Sequence, residues 1–284
     1  MNAAEEIKAS ARFEFGANWT RFLAVLDDRR IRDAEASMKE MLGVARLDGL
    51  RFIDIGCGSG LSSLAARRLG AEVHSFDFDL QSVACATELK RRYFPGDGAW
   101  NIEAGSVLDR SYLGRLGQFD IVYSWGVLHH TGSMWVAIEN AMSCVAAPGG
   151  TLYIAIYNDQ GWKSHVWWFV KVFYNRLPQI LKRPFVTTVS VITHILVLIK
   201  YLIKLKPMVA IAPLLSDRRA RGMSARYDAV DWIGGYPYEF ARYEILEDYL
   251  AARGFCLTNS RRDASHGCNE LVARRSGVTA ACAE

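Results

Sequence analysis

Two hydrophobic periods divide this chain. From about residue 51 to 158, short apolar runs alternate with stretches in which apolar positions recur every three or four residues, which is strand followed by helix. Strands are expected at about 52–55, 72–76, 100–104 and 119–125, with a fifth closed by residues 157–160, and helices at roughly 60–69, 80–93 and 133–146. Such alternation predicts an α/β protein with a right-handed, doubly wound parallel sheet. Residues 242–253 then read as a helix, and 256–261 and 269–274 as two strands joined by residues 263–267. No length remains for a crossover, so the last strand should run antiparallel in a seven-stranded mixed sheet.

The flanking segments are of another kind. Residues 5–48 read as helical, with Phe13, Phe15, Trp19, Phe22 and Leu23 apolar and an interruption expected at Gly16-Ala17-Asn18. This segment is either a cap on the sheet or a cover in which Phe15 and Trp19 close over a ligand. Between about 160 and 238 lies an insertion rich in aromatic residues, followed by the apolar run 185–203. That run approaches the length of a transmembrane helix. However, it contains Thr, Ser, His and Lys, and basic residues flank it (Lys182, Arg183, Lys204, Lys206). Three readings stand: a membrane span, an interfacial helix in peripheral membrane contact, and a buried cap or homodimer helix, the polar content favouring the third. The expected organisation is an N-terminal helical cap (1–48), a core (49–159 and 239–276), a helical insertion over the substrate (160–238) and a flexible tail (277–284).

Composition narrows the classes. Half of the 284 residues are apolar, enough for a sizeable core, and the net charge of +4 comes from interspersed acids and bases. This is too mild to imply nucleic acid. The cluster Arg218-Arg219-Ala220-Arg221 reads as a solvated face, with an anion contact as the alternative. Cysteines at 57, 85, 144, 256, 268 and 282 form no C-x-x-C pair, and no His/Cys spacing suits a metal. The N-terminus is neither basic nor apolar, so no secretory signal is expected, and reduced thiols in the cytoplasm are the natural reading.

The candidate chemistry centres on Phe52-Ile53-Asp54-Ile55-Gly56-Cys57-Gly58-Ser59-Gly60, an apolar strand running into a glycine turn and a helix. Glycines allow close backbone approach to a ligand, and the helix behind them offers unpaired amides. A dinucleotide turn places a small third residue where Leu61 stands here. Asp54 would sit awkwardly beside a pyrophosphate but suits a ligand carrying an ammonium group. Asp77, at the end of the next strand, is placed to accept hydrogen bonds from ribose hydroxyls.

These residues resemble the class I S-adenosylmethionine-dependent methyltransferases. The resemblance continues through Gly105-Ser106-Val107-Leu108-Asp109, Phe119 to Trp125, Val127-Leu128-His129-His130 and Pro148-Gly149-Gly150. The blocks YSWGVLHHTG, AIYNDQG, DWIGGYPYE and GCNE resemble a bacterial subgroup akin to the ubiquinone-pathway polyprenyl-phenol O-methyltransferases. The core likeness covers roughly residues 45–158, and the subgroup likeness most of the chain. It implies a Rossmann-like sheet and S-adenosyl-L-methionine as cofactor. Asp54, Gly56, Gly58 and Gly60 would surround the methionine portion, Asp77 the ribose, and Ser106 and Val107 the adenine, with Trp125 beside the methionine chain. Cys57 reads as a small turn residue, and Asp79 and Asp109 as either helix starts or ligand contacts.

His129 and His130 follow the fourth strand, at the edge where ligands bind in such sheets, and either is a candidate general base. Tyr157, Asn158, Tyr236, Tyr238 and Glu239 are candidate acceptor contacts, with Arg261, Arg262, His266 and Asn269 near the last hairpin. The expected reaction is methyl transfer to an oxygen or nitrogen of a small-molecule or lipid-like acceptor. A nicotinamide-dependent oxidoreductase, against which Asp54 and Leu61 argue, and a non-catalytic nucleoside-binding or membrane-associated protein are the alternatives.

Overall fold

The computed structural model describes residues 13, 16–203, 230, 232–263 and 267–276. Seven strands form one sheet: β1 (Arg51–Ile55), β2 (Glu72–Asp77), β3 (Trp100–Ala104), β4 (Ile121–Trp125), β5 (Thr151–Tyr157), β6 (Phe255–Arg261) and β7 (Cys268–Arg275). Their order is β3-β2-β1-β4-β5-β7-β6. The first five pair in parallel, and β7 runs antiparallel to both β5 and β6, as the missing crossover length required. β6 therefore points the same way as β5, and the β6–β7 turn lies at the carboxyl edge. There the Asn158 amide donates to the Gly267 carbonyl at 3.1 Å.

The helices are α1 (Gly16–Val25), α2 (Asp28–Leu42), α3 (Leu61–Arg68), α4 (Leu80–Tyr93), α5 (Arg110–Leu116), α6 (Met134–Ser143), α7 (Trp162–Arg176), α8 (Gln179–Ile203) and α9 (Tyr243–Ala251). Alternation along β1 splits the core. Ile53 and Ile55 join α6 and α9 on one face, whereas Phe52 joins α2, α3 and α4 on the other. Asp54 shares the second face, which brings it over α3.

Four expectations are corrected. Residues 16–18 are helical, within α1, and among the described residues the break falls at Leu26-Asp27, where Asp27 caps α2. Gly16 serves close approach: its amide donates to Asp79 Oδ2 at 2.9 Å, and a Cβ there would lie 2.5 Å from that oxygen. Second, α5 was not foreseen, being seven residues long and too short to show a period. Third, the apolar run is not buried within the chain. The start of α8 packs on α7 through Phe185 and Val186, but Val191, Ile192 and every apolar side chain from Ile195 to Ile199 are exposed. Fourth, Cys57, Cys85, Cys144 and Cys268 are buried thiols outside any disulfide, whereas Cys256 is disulfide-bonded, which corrects the expectation of uniformly reduced thiols. Phe15, the 218–221 cluster, His266 and the 277–284 tail lie outside the described residues.

Candidate functional site

Strand order reverses between β1 and β4, which opens a crevice at their carboxyl ends. The glycine turn fills the β1 side. Gly56, Gly58 and Gly60 have φ of 74°, 52° and 80°, a region costly for any residue with a Cβ. The amides of Gly56 and Cys57 donate to the Phe76 carbonyl. Asp77 clamps the turn from β2: its Oδ2 accepts from Gly58 N and its Oδ1 from Asp79 N, both at 2.9 Å. Gly60 caps α3 with no side-chain hydrogen bond, so the first amides of that helix supply a donor cluster at the turn.

Each glycine is hemmed by a different element. A Cβ on Gly56 would lie 2.3 Å from Val127 Cγ1, one on Gly58 2.9 Å from the Trp19 indole, and one on Gly60 2.9 Å from Ala86 Cα. Trp19 thus covers the turn. Because the Ala86 contact is helix backbone and cannot swing away, Gly60→Ala is expected to lower unfolding free energy by about 2–3 kcal/mol, combining left-handed strain with overpacking. Gly43 also has positive φ, at 67°, but open space around it, and Gly43→Ala should cost about 1 kcal/mol. Denaturant unfolding of the two variants checks the difference; equal losses would remove the packing account.

Asp54 is 2% exposed. It ends a chain of donors that links four elements: Trp100 Nε1 donates to Ser75 Oγ (2.9 Å), Ser75 Oγ to Ser63 Oγ (2.7 Å), and Ser63 Oγ to Asp54 Oδ2. Burial pushes the Asp54 carboxyl up to about 7; the Ser63 hydrogen bond opposes this and the nearby Asp77 charge adds to it. A buried carboxylate so placed gains from an arriving cation, so the turn fits a ligand with an ammonium group. Burial also pushes the Cys57 thiol well up, in keeping with a packing role. Asp79 and Asp109 are helix caps, accepting from Gln81 N and Tyr112 N. The loop after β3 is held from both sides: Ser106 Oγ accepts from Leu108 N at 3.2 Å, and the Val107 carbonyl from Asn140 Nδ2 at 2.8 Å. Trp125, half-buried at the end of β4, packs at the margin of the core on the α2–α4 face.

Across the crevice, His129 and His130 form a single 3₁₀ turn. His129 is fully buried, and its Nδ1 accepts the Tyr157 amide at 3.3 Å. His130 Nδ1 donates to the Pro237 carbonyl at 2.5 Å. These partners assign the neutral His130 proton to Nδ1 and the neutral His129 proton to Nε2. The Tyr157 ring lies 4.0 Å from that of His129 and 5.4 Å from those of both Trp232 and Tyr238. Burial pushes the Tyr238 phenol up to about 12.

The predicted acceptor residues divide here. Tyr157 and Tyr238 join the histidines. Tyr236 contributes its carbonyl, which accepts from Phe13 N. Both Glu239 oxygens accept from Met134 N, at 3.1 and 3.0 Å, capping α6 where Ser133 does not. Asn158 is bonded to the β6–β7 turn through the Asp263 carbonyl and Asn269. Arg261 and Arg262 form surface ion pairs with Glu40 and Glu244. One residue was missed: Lys171, fully buried, donates to the Trp232 carbonyl and lies 4.6 and 4.7 Å from the Trp232 and Tyr238 ring centres. Its signal was its place four residues after Trp167 and three before Tyr174, on one helix face. Among the described residues, no three His, Cys, Asp or Glu side chains are grouped to hold a metal.

Residues 21–195 match the family model of a methyltransferase domain. The chain is similar to ubiquinone biosynthesis O-methyltransferases. It is 31% identical over 112 residues to that of Sinorhizobium fredii and 29% over 112 residues to that of Brucella melitensis. Each match covers 39% of this chain and 43% of the relative, so the chain spans less than half the length of the curated relatives it matches. Among solved structures it resembles magnesium protoporphyrin IX methyltransferase from Synechocystis PCC 6803. The TM-score there is 0.52 at 16% identity, covering 87% of this chain and 83% of that one.

Proposed function

The chain belongs to the class I S-adenosylmethionine-dependent methyltransferases, and we propose that it methylates an oxygen of a small, lipid-like acceptor. The family match sets aside the nicotinamide alternative. The observation that carries the site assignment is the turn of Gly56, Gly58 and Gly60 held by Asp77 at the β1–β4 reversal. When bound, the donor supplies an activated methyl group on a sulfonium. The protein's part is alignment, exclusion of water and proton removal. Asp54 and the turn amides would hold the methionine end, Asp77 the ribose, and Ser106 and Val107 the adenine. Trp19 covers the turn. His130 accepts the acceptor's hydroxyl proton at Nε2, and Tyr157 and Tyr238 form the acceptor wall. Oxygen is favoured by the names of the O-methyltransferase relatives and by the paired histidines, since a hydroxyl must lose its proton to become a good nucleophile.

Asp77→Ala is expected to weaken S-adenosylhomocysteine binding by about 1–3 kcal/mol, roughly 5- to 150-fold. It removes ribose contacts and releases the Gly58 amide together. Titration calorimetry reads this directly, and unchanged affinity would place the ribose elsewhere. The acceptor class is tested with labelled methyl donor and a panel of phenols and alcohols of increasing chain length. Methyl ethers of the amphiphilic members are expected. Products confined to amines, or to short hydrophilic acceptors, would overturn the proposal.

A further inference from the structure

From the apolar stripe on α7 and the exposed body of α8 we infer that this chain docks, without spanning, on an anionic lipid bilayer. Trp162, Val166, Phe169 and Phe173 are 71, 48, 66 and 55% exposed. Their spacing of four, three and four residues sets them in one line along α7. The opposite face of the same helix is the buried one, with Ser164, Lys171 and Tyr174. α7 is therefore amphipathic in an unusual sense: its inner face serves the aromatic cluster, and its outer face is apolar toward solvent. α8 continues the surface, being exposed and apolar on all sides from Ile195 to Ile199. A helix apolar all round belongs in a core or in lipid, and this one is not in the core.

Charge decides between lipid and protein. Of the 34 Lys and Arg in the chain, six fall within residues 160–203, one of them the buried Lys171, and none of the 30 Asp and Glu does. Lys163, Arg176 and Arg183 are exposed among the apolar side chains. A surface that is both apolar and purely basic complements anionic headgroups over acyl chains, whereas a self-complementary dimer face would set like charges together. Length argues against a span. The uncharged stretch 184–199 is about 24 Å long, short of a hydrocarbon core of roughly 30 Å. Basic residues stand at both of its ends (Lys182, Arg183 and Lys200), which suits a helix with both ends at one surface. Docking would set the bilayer about one helix diameter, roughly 10 Å, from Tyr238 and Trp232. An amphiphilic acceptor would then have a short path to the site; this consequence rests on the methyl-transfer reading, but docking itself does not.

Flotation of the full chain with vesicles tests docking without reference to methyl transfer. Binding is expected to phosphatidylcholine vesicles containing phosphatidylglycerol, weaker binding to phosphatidylcholine alone, and release at high salt. Phe169→Glu with Phe173→Glu should abolish flotation. Lys163→Gln with Arg183→Gln should weaken it about thirtyfold. All four residues are exposed and outside the proposed machinery, and circular dichroism confirms that the variants fold. No flotation of the wild-type chain would overturn the inference. So would retention through an alkaline carbonate wash, which marks a span, or a wild-type dimer that the Phe169→Glu, Phe173→Glu pair converts to monomer without any effect on vesicles.

Discussion

Replacing His130 by alanine is expected to lower turnover by about 10²- to 10⁴-fold, the usual contribution of a positioned general base, with S-adenosylhomocysteine affinity nearly unchanged. The two adjacent histidines are equally plausible in sequence, and their partners separate them. The Pro237 carbonyl takes the Nδ1 proton of His130, so Nε2 is the basic nitrogen, and the carbonyl orients the ring as it gains charge. His129 is bonded the other way round: its Nδ1 accepts the Tyr157 amide, and the ring is fully buried. In neutral His129, Nε2 therefore carries the proton. His129→Ala should consequently act mainly on stability, by removing the acceptor of a buried amide and leaving a cavity beside Tyr157. His130→Ala should also erase the acidic limb of the pH–rate profile for hydroxyl acceptors, which a structural role would leave in place. Full turnover in His130→Ala, or a retained acidic limb, would return proton removal to solvent or to the acceptor itself.

What could be read in advance follows the range of the interactions. The strands β1, β4 and β5 are largely apolar because both faces are covered, so they stand out as runs, and the turn between β1 and α3 is a local event. Asp77 was legible as the acid ending the next strand. The interactions that were not legible join distant segments. The Trp100–Ser75–Ser63–Asp54 chain crosses β3, β2, α3 and β1, and in sequence Ser63 and Ser75 are two ordinary serines. Glu239 read as an acceptor contact because its capping of α6 spans 105 residues. Lys171 was not singled out in the sequence, since lysine is seldom buried. Composition alone left the location of α8 undecided, because a core helix and a lipid-facing helix have the same apolar content.

Asp54→Asn should have effects of opposite sign on stability and on binding. The unfolded chain releases the Asp54 proton near pH 3.8, and the folded, ligand-free chain near 7. Between those values the folded state holds more protons than the unfolded one, so stability falls as pH rises through this window, and the deficit is complete above about pH 7. The gap between those two values corresponds to roughly 4 kcal/mol. Asparagine does not ionise and keeps an acceptor for Ser63, so the ligand-free variant is expected to be more stable than wild type at pH 8, by up to about 4 kcal/mol, and equal to it near pH 4. Binding runs the other way. The ammonium of the cofactor favours the ionised carboxylate, so the wild-type affinity should fall by up to about tenfold per pH unit below 7 as Asp54 takes up its proton, while the variant binds more weakly at pH 8 and without that slope. Thermal unfolding and calorimetry across pH 4–8 measure both halves. A variant that is stabilised but binds S-adenosylhomocysteine as wild type does would make Asp54 a buried cost with no ligand to offset it, and would move the ammonium away from the glycine turn.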